Sequence, residues 1–401
     1  MSPKIPNDEF LLYAFDGAPR DLDRAIDDVL QAARGCPDLV VRIEDGCALT
    51  YPAWVRCGAD RRQVVVHAAE TQWSSCLDEV AGLARHQLDL RTRAWRLHVF
   101  PAVCGVPSAV RICAVVVLQI GHALADGLRA SAMAATLFGR VTDVPAVARW
   151  GRGCLVTRGF AAARAHRDLE RATVAGLVAP RAEPAPVLST NAAPGETRCV
   201  RTLVRRRGQL RGPTVTIAVL VAIATALSQY LEARGEDAAT LTAEVPMAKT
   251  SARHANNHYR NVGVALHPGV GADERAALIA AGLAARRRRG RHPALAAGDR
   301  ALAAVPAPLL RWGVAQFDAR ARAPMVTGNT VVSSVNRGPA DLHFGGRPVV
   351  LTAGYPALSP MMGLTHGAHG IGDTVALSVH AATSAMADLP EYLDRLDAAL
   401  A

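Results

Sequence analysis

The chain has 401 residues and a formal net charge of +10; half of its residues are hydrophobic and a fifth are charged. That length exceeds one ordinary compact core and suits two subdomains, and the composition excludes a disordered or fibrous chain. The excess of arginine attracts anions of every kind, so charge alone does not choose among nucleic acid, acidic headgroups and nucleotide cofactors. Aromatic residues are few, and the apolar mass is Ala, Val and Leu, a composition that suggests a GC-rich bacterial genome.

In chain order, residues 21–34 place Leu22, Ala25, Ile26 and Leu30 on one face, which predicts an amphipathic helix ended by Gly35. Short strands are expected at 39–43 and 63–67, a helix at 76–87 and a strand at 95–100. The run 110–120 is short, continuous and rich in β-branched residues, which predicts a buried strand. It leads straight into Gly-His-Ala-Leu-Ala-Asp-Gly at 121–127, and 128–137 reads as helix. Residues 177–196 are rich in Pro and Ala and read as a linker. They divide the chain into subdomains 1–176 and 197–401. The second half opens with a strand near 197–204 and an apolar helix near 215–231, too short in its apolar run for a spanning helix and sized for a core. Further strands are expected at 240–245, 330–335 and 374–380, with helices at 273–286 and 389–400. Each half mixes the two element types, which indicates an α/β fold.

His122 follows a buried strand and precedes a helix, a place where a side chain stands at the rim of a sheet. An imidazole titrates near neutrality, so it takes a proton from a hydroxyl and returns it to a leaving group. Asp126, four residues on, is placed to hold the turn by pairing with an arginine, and Gly127 to permit a backbone angle or close approach. Against this stands the ordinary role of a lone histidine near an apolar strand, that of a satisfied core residue.

The pattern resembles the His-His-x-x-x-Asp-Gly motif of the wax ester synthase/diacylglycerol acyltransferase family. That family lies within the superfamily of CoA-dependent acyltransferases and peptide-synthetase condensation domains. Trp95, Glu244-Val-Pro-Met, Asn261-Val-Gly and 329–339 resemble further family segments in the same order. Gly121 replaces the first histidine, Thr216-Ile217 stands for an Asn-Asp pair, and Ser334 stands where the family has Asn. The resemblance implies two chloramphenicol-acetyltransferase-like subdomains facing each other across a substrate channel. It implies His122 as the base, with Asp126 and Gly127 as its motif partners. Thr216 or Ser333 is a candidate oxyanion donor by position, and Thr216, Ser333 and Asn329 are the candidates for oxyanion binding or substrate positioning. It implies an O-acyltransferase with no bound cofactor, acyl-CoA as co-substrate and a lipid or other hydrophobic alcohol as acceptor. Two alternatives remain: a stand-alone condensation enzyme using a carrier-protein thioester, and a non-catalytic relative.

His254 and His258 stand four apart but lack a nearby carboxylate, so no metal site is expected. The run Arg286–Arg289 with Arg291 suits a solvated helix end, CoA phosphates or an anionic membrane. No aromatic-basic interleaving accompanies it, so nucleic acid is not expected. The eight cysteines form no C-x-x-C pair, and the first ten residues lack a signal-peptide core. The expectation is a cytoplasmic protein with reduced thiols, able to meet the inner membrane surface.

Overall fold

The structure, a computed structural model, describes residues 5–68, 70–151 and 153–401. The first four residues of the stretch read for a targeting signal lie outside these. No element is expected before residue 21, yet Asp8–Asp16 forms β1, whose centre Phe10-Leu-Leu-Tyr-Ala-Phe is wholly buried. There follow α1 (Leu22–Gly35), β2 (Val41–Glu44), β3 (Ala53–Arg56), β4 (Val64–Val66), β5 (Thr71–Gln72), α2 (Trp73–Leu83), β6 (Trp95–Cys104), β7 (Cys113–Gly121), α3 (Gly127–Leu137) and α4 (Leu155–Val174). Every residue of β7 is buried, as its unbroken apolar run requires of a strand covered on both faces. It lies between β1 and β6, antiparallel to both. The α4 helix escapes pattern reading because it is dominated by Arg and Ala and buries only Leu169 fully.

The second half contributes β8 (Ala185–Pro186), β9 (Arg198–Arg206), α5 (Val215–Glu232), β10 (Thr242–Ala248), β11 (Tyr259–Ala265), α6 (Ala272–Gly290), α7 (Pro293–Leu302), α8 (Ala307–Ala315) and β12 (Met325–Val326). It closes with β13 (Thr330–Asn336), β14 (His343–Phe344), β15 (Arg347–Gly354), β16 (Leu364–Ile371), β17 (Thr374–Ala382) and α9 (Leu389–Ala399). Six strands form its sheet in the order β11-β10-β13-β16-β17-β9. The α5 helix, capped by Thr214, is apolar on nearly every side and two-thirds buried, and Tyr230 on it meets Tyr392 of α9 edge-on. It is a core helix.

Two features depart from a clean division at residue 197. β14 and β15 leave the second half and extend the first sheet, which runs β14-β15-β1-β7-β6-β4. The crossover makes the first lobe depend on both halves of the chain. The stretch expected as a linker is also tied down. β8 pairs with β12, and the Asn191 side chain donates to Gly328 O (3.1 Å) and Met361 O (3.0 Å). Asn329, expected as a substrate-positioning group, belongs to this clasp. It is fully buried; its Nδ2 donates to Pro186 O (2.8 Å) and Asn191 Oδ1 (3.1 Å), and its Oδ1 accepts from Thr242 N (3.1 Å). Those bonds tie the 185–191 stretch to β10 and to the start of β13.

Candidate active site

β7 delivers the chain to its end at Gly121, where a Cβ would collide with the Leu90 side chain. Leu90, itself buried, occupies the space that a first histidine would need. His122 then turns out of the sheet, its backbone N–H donating to Asn7 O at 2.8 Å. The antiparallel register places Asp8 opposite Gly121 and Glu9 opposite Ile120. Glu9 is thereby brought beside the imidazole, with Oε1 2.7 Å from Nδ1. Nδ1 also lies 3.0 Å from Ala125 O. Two acceptors on one nitrogen keep its proton there, so Nε2 presents the lone pair. Nε2 lies 2.6 Å from the Tyr259 hydroxyl.

Burial disfavours the imidazolium. The Glu9 hydrogen bond and charge, the Ala125 carbonyl and the Asp126 charge together outweigh burial and raise the His122 pKa above its ordinary value. The arrangement strengthens the base and fixes its tautomer, the orienting role that a carboxylate plays behind a catalytic histidine.

Both oxygens of Asp126 are committed to hydrogen bonds that hold the turn. Its Oδ1 caps α3 by accepting from Arg129 N (3.1 Å), while Oδ2 accepts from Arg253 Nη1 (2.7 Å) and His258 N (2.9 Å). Burial pushes its pKa up, but Arg253 and the two backbone donors hold it below the usual carboxylate value. Asn256 Nδ2 adds a bond to Ala123 O (3.0 Å). The arginine partner expected for Asp126 is therefore Arg253, contributed by the 249–258 loop of the other lobe. Gly127 has no left-handed backbone angle, and a Cβ there would meet Val335 Cγ2 at an ordinary 3.4 Å. The expected special angle is absent; a longer side chain would run into β13.

Thr216 is engaged with β13. Its hydroxyl donates to Ser334 Oγ at 2.9 Å. Strand alternation puts Ser333 on the other face of β13, the face that Val335 turns toward Gly127. The two expected oxyanion donors thus lie on opposite sides of one strand, and only Ser333 shares a face with the His122 turn.

Thr216 and Ser334 instead line a cleft of about 290 Å³ with Lys249, Arg260, Arg286, Arg287 and Arg291. Lys249 and Arg260 share Asp299 (2.9 and 3.2 Å). The basic run divides its duties: Arg289 ties α6 to Thr173 and Ala179, whereas Arg287 and Arg291 stay at the cleft. His254 stacks on Trp150 and His258 Nε2 turns to Ser251 O, so the two histidines are engaged separately.

Pattern reading misses Glu9, Tyr259 and Arg253. Glu9 lies on an unexpected strand. Tyr259 and Arg253 are local to the His254–His258 segment but matter only through the opposite lobe.

No protein-family model matches the sequence, and no curated protein matches it significantly. Solved structures do. The wax ester synthase/diacylglycerol acyltransferase from Marinobacter aquaeolei VT8 is 19% identical, with 100% of this chain and 94% of that one covered and a TM-score of 0.63. The first condensation domain of the CDA synthetase is 16% identical over 98% of this chain and 90% of that one, with a TM-score of 0.58. A starter condensation domain of rhizomide synthetase RzmA, a mutant in complex with C8-CoA and Leu-SNAC, is 13% identical over 99% of this chain and 88% of that one, with a TM-score of 0.56. At such identities these likenesses establish the fold: the two-lobed α/β architecture of these acyltransferases and condensation domains, over the whole chain.

Asp126→Asn removes the charge that Arg253 answers inside the interface. We expect a loss of about 3 kcal/mol at neutral pH, read from the urea midpoint. Because the Asp126 pKa is depressed on folding, wild type holds this advantage above the unfolded carboxyl value of about 3.9 and loses it as pH falls through the lower folded value.

Proposed function

We propose that the protein is an acyltransferase that moves an acyl group from a CoA thioester to the hydroxyl of a hydrophobic alcohol, with His122 as general base. The observation that carries this reading is the Glu9-oriented imidazole, its Nε2 lone pair turned to the junction of the lobes and already bound to a hydroxyl. The acceptor O–H gives up its proton to the base, its oxygen attacks the thioester carbonyl, and the tetrahedral adduct expels the thiolate, which takes the proton back. Ser333, on the face of β13 that Val335 turns toward Gly127, is the proposed oxyanion donor.

The basic cleft supports a donor that carries phosphates. Arg286, Arg287 and Arg291 at one opening, beside a Lys249 and Arg260 pair that share Asp299, leave a net positive charge that attracts the phosphates of CoA. A carrier-protein phosphopantetheine offers the same chemistry, which keeps the condensation reading as the second.

One surface supports contact with anionic lipid. α8 buries only Ala307, and Leu309, Leu310 and Trp312 on it are 55%, 38% and 67% exposed. Arg311, Arg320 and Arg322 accompany them, the pairing of apolar and basic groups that holds a helix at a membrane surface.

Transfer from octanoyl-CoA to 1-dodecanol tests the function. His122→Ala is expected to lose about 10²–10⁴-fold in kcat while remaining folded; wild-type-like turnover removes the base assignment. The paired variant Arg287→Ala/Arg291→Ala is expected to raise KM for octanoyl-CoA with little change for octanoyl-pantetheine, which lacks the nucleotide. For the membrane, the protein is expected to co-sediment with phosphatidylglycerol vesicles and not with phosphatidylcholine vesicles. Leu309→Ser/Trp312→Ser is expected to weaken that binding; unchanged sedimentation, or self-association in its place, contradicts the lipid reading.

A further inference from the structure

The His122 base is already in use. Nε2 has one in-plane lone pair, and the Tyr259 hydroxyl sits on it at 2.6 Å. Tyr259 is the donor in that bond. Burial, with the charges of Glu9, Glu244 and Asp126, pushes its pKa up to about 12, so it remains a phenol across the physiological range. An alcohol therefore reaches Nε2 in one of two ways, by displacing Tyr259 or through it.

Displacement is opposed by the way Tyr259 is held. It opens β11, opposite Ala248 on β10. The preceding residue is clamped on both sides: His258 N donates to Asp126 Oδ2 (2.9 Å), and His258 O accepts from Lys249 N (3.0 Å). The clasp that orders the His122 turn thus also fixes the backbone from which Tyr259 reaches the imidazole, so displacement costs a side-chain rotation and the 2.6 Å bond. Passage through Tyr259 needs no movement. Its oxygen donates one proton to Nε2 and keeps lone pairs free to accept from a second hydroxyl.

Building on the acyl-transfer reading, we propose that Tyr259 is a catalytic residue that relays the acceptor's proton to His122. As the alcohol oxygen bonds to the thioester carbonyl carbon, its proton moves to Tyr259 Oη and the Tyr259 proton moves to His122 Nε2. When the C–S bond breaks, the sequence reverses: the Tyr259 proton goes to the departing sulfur and Nε2 returns its proton to Oη. The sum is one proton carried from alcohol to thiolate, with Tyr259 and His122 restored. The acceptor therefore touches the phenol, and the imidazole acts one atom behind it.

The direct test is a proton inventory, the rate of octanoyl transfer from octanoyl-CoA to 1-dodecanol in mixtures of H₂O and D₂O under single-turnover conditions. The relay moves two protons together and predicts a bowed dependence on deuterium fraction in the wild-type protein, which requires no substitution. Tyr259→Phe is expected to lose about 10²-fold in kcat and to leave a linear inventory. A linear wild-type inventory, or a Tyr259→Phe variant as fast as wild type or faster, overturns the relay and makes the phenol a plug that substrate displaces. Either of those results leaves acyl transfer by His122 standing. Failure of the wild-type protein to release thiol from octanoyl-CoA with any alcohol removes the acyl-transfer reading itself, and the relay with it.

Discussion

The Asp126 carboxylate is the point on which the site depends. One oxygen caps α3, and the other gathers Arg253 and the His258 N–H from the opposite lobe. An N-cap is worth about 1 kcal/mol, whereas breaking a buried, hydrogen-bonded pair costs about 3–5 kcal/mol, so the interlobe half of the interaction dominates. Its geometric effect is larger than its energy. The same residue that orders the turn bearing His122 also orders the strand start bearing Tyr259. Two groups 137 residues apart are thereby held within a hydrogen bond of each other.

The second constraint is register. β1 pairs with β7 over nine residues without a shift, and that pairing sets Glu9 beside the base. A slip of one residue would turn Glu9 to the other face of the sheet and leave Nδ1 with only a carbonyl. β15 then pairs with the far side of β1, so a strand from the second half helps hold the carboxylate in place. The departures from the motif fit this frame locally. Leu90 fills the space at Gly121, and Thr216 and Ser334 satisfy each other across the α5–β13 contact.

Much of this was legible in advance, where the signal is local. The all-buried β7, the apolar α5 and the turn carrying His122 and Asp126 each declare themselves within a dozen residues. What pattern reading missed is non-local. β1 itself goes unexpected, and the value of Glu9 exists only through its pairing with β7. Tyr259 and Arg253 gain meaning from the facing lobe, which no periodicity encodes. The segment holding Asn329 resembles a functional one, but sequence does not show that Asn329 is buried and bonded to Pro186, Asn191 and Thr242. Of the two reasons expected for Gly127, a backbone angle or a close approach, the angle is absent and the contact with Val335 is an ordinary one, since the motif's spacing reveals neither the dihedral nor the facing side chain.

The central claim is that Glu9 raises the basicity of His122 and that the neutral imidazole drives transfer. The measurement closest to it is the pH dependence of kcat/KM for octanoyl transfer, wild type against Glu9→Gln. The account predicts an acid limb in wild type above the ordinary imidazole value of about 6.5. In Glu9→Gln the limb moves to lower pH, because burial then prevails, and the plateau falls roughly tenfold as the weaker base loses driving force. Acid limbs that coincide in the two proteins, with equal plateaus, would contradict it.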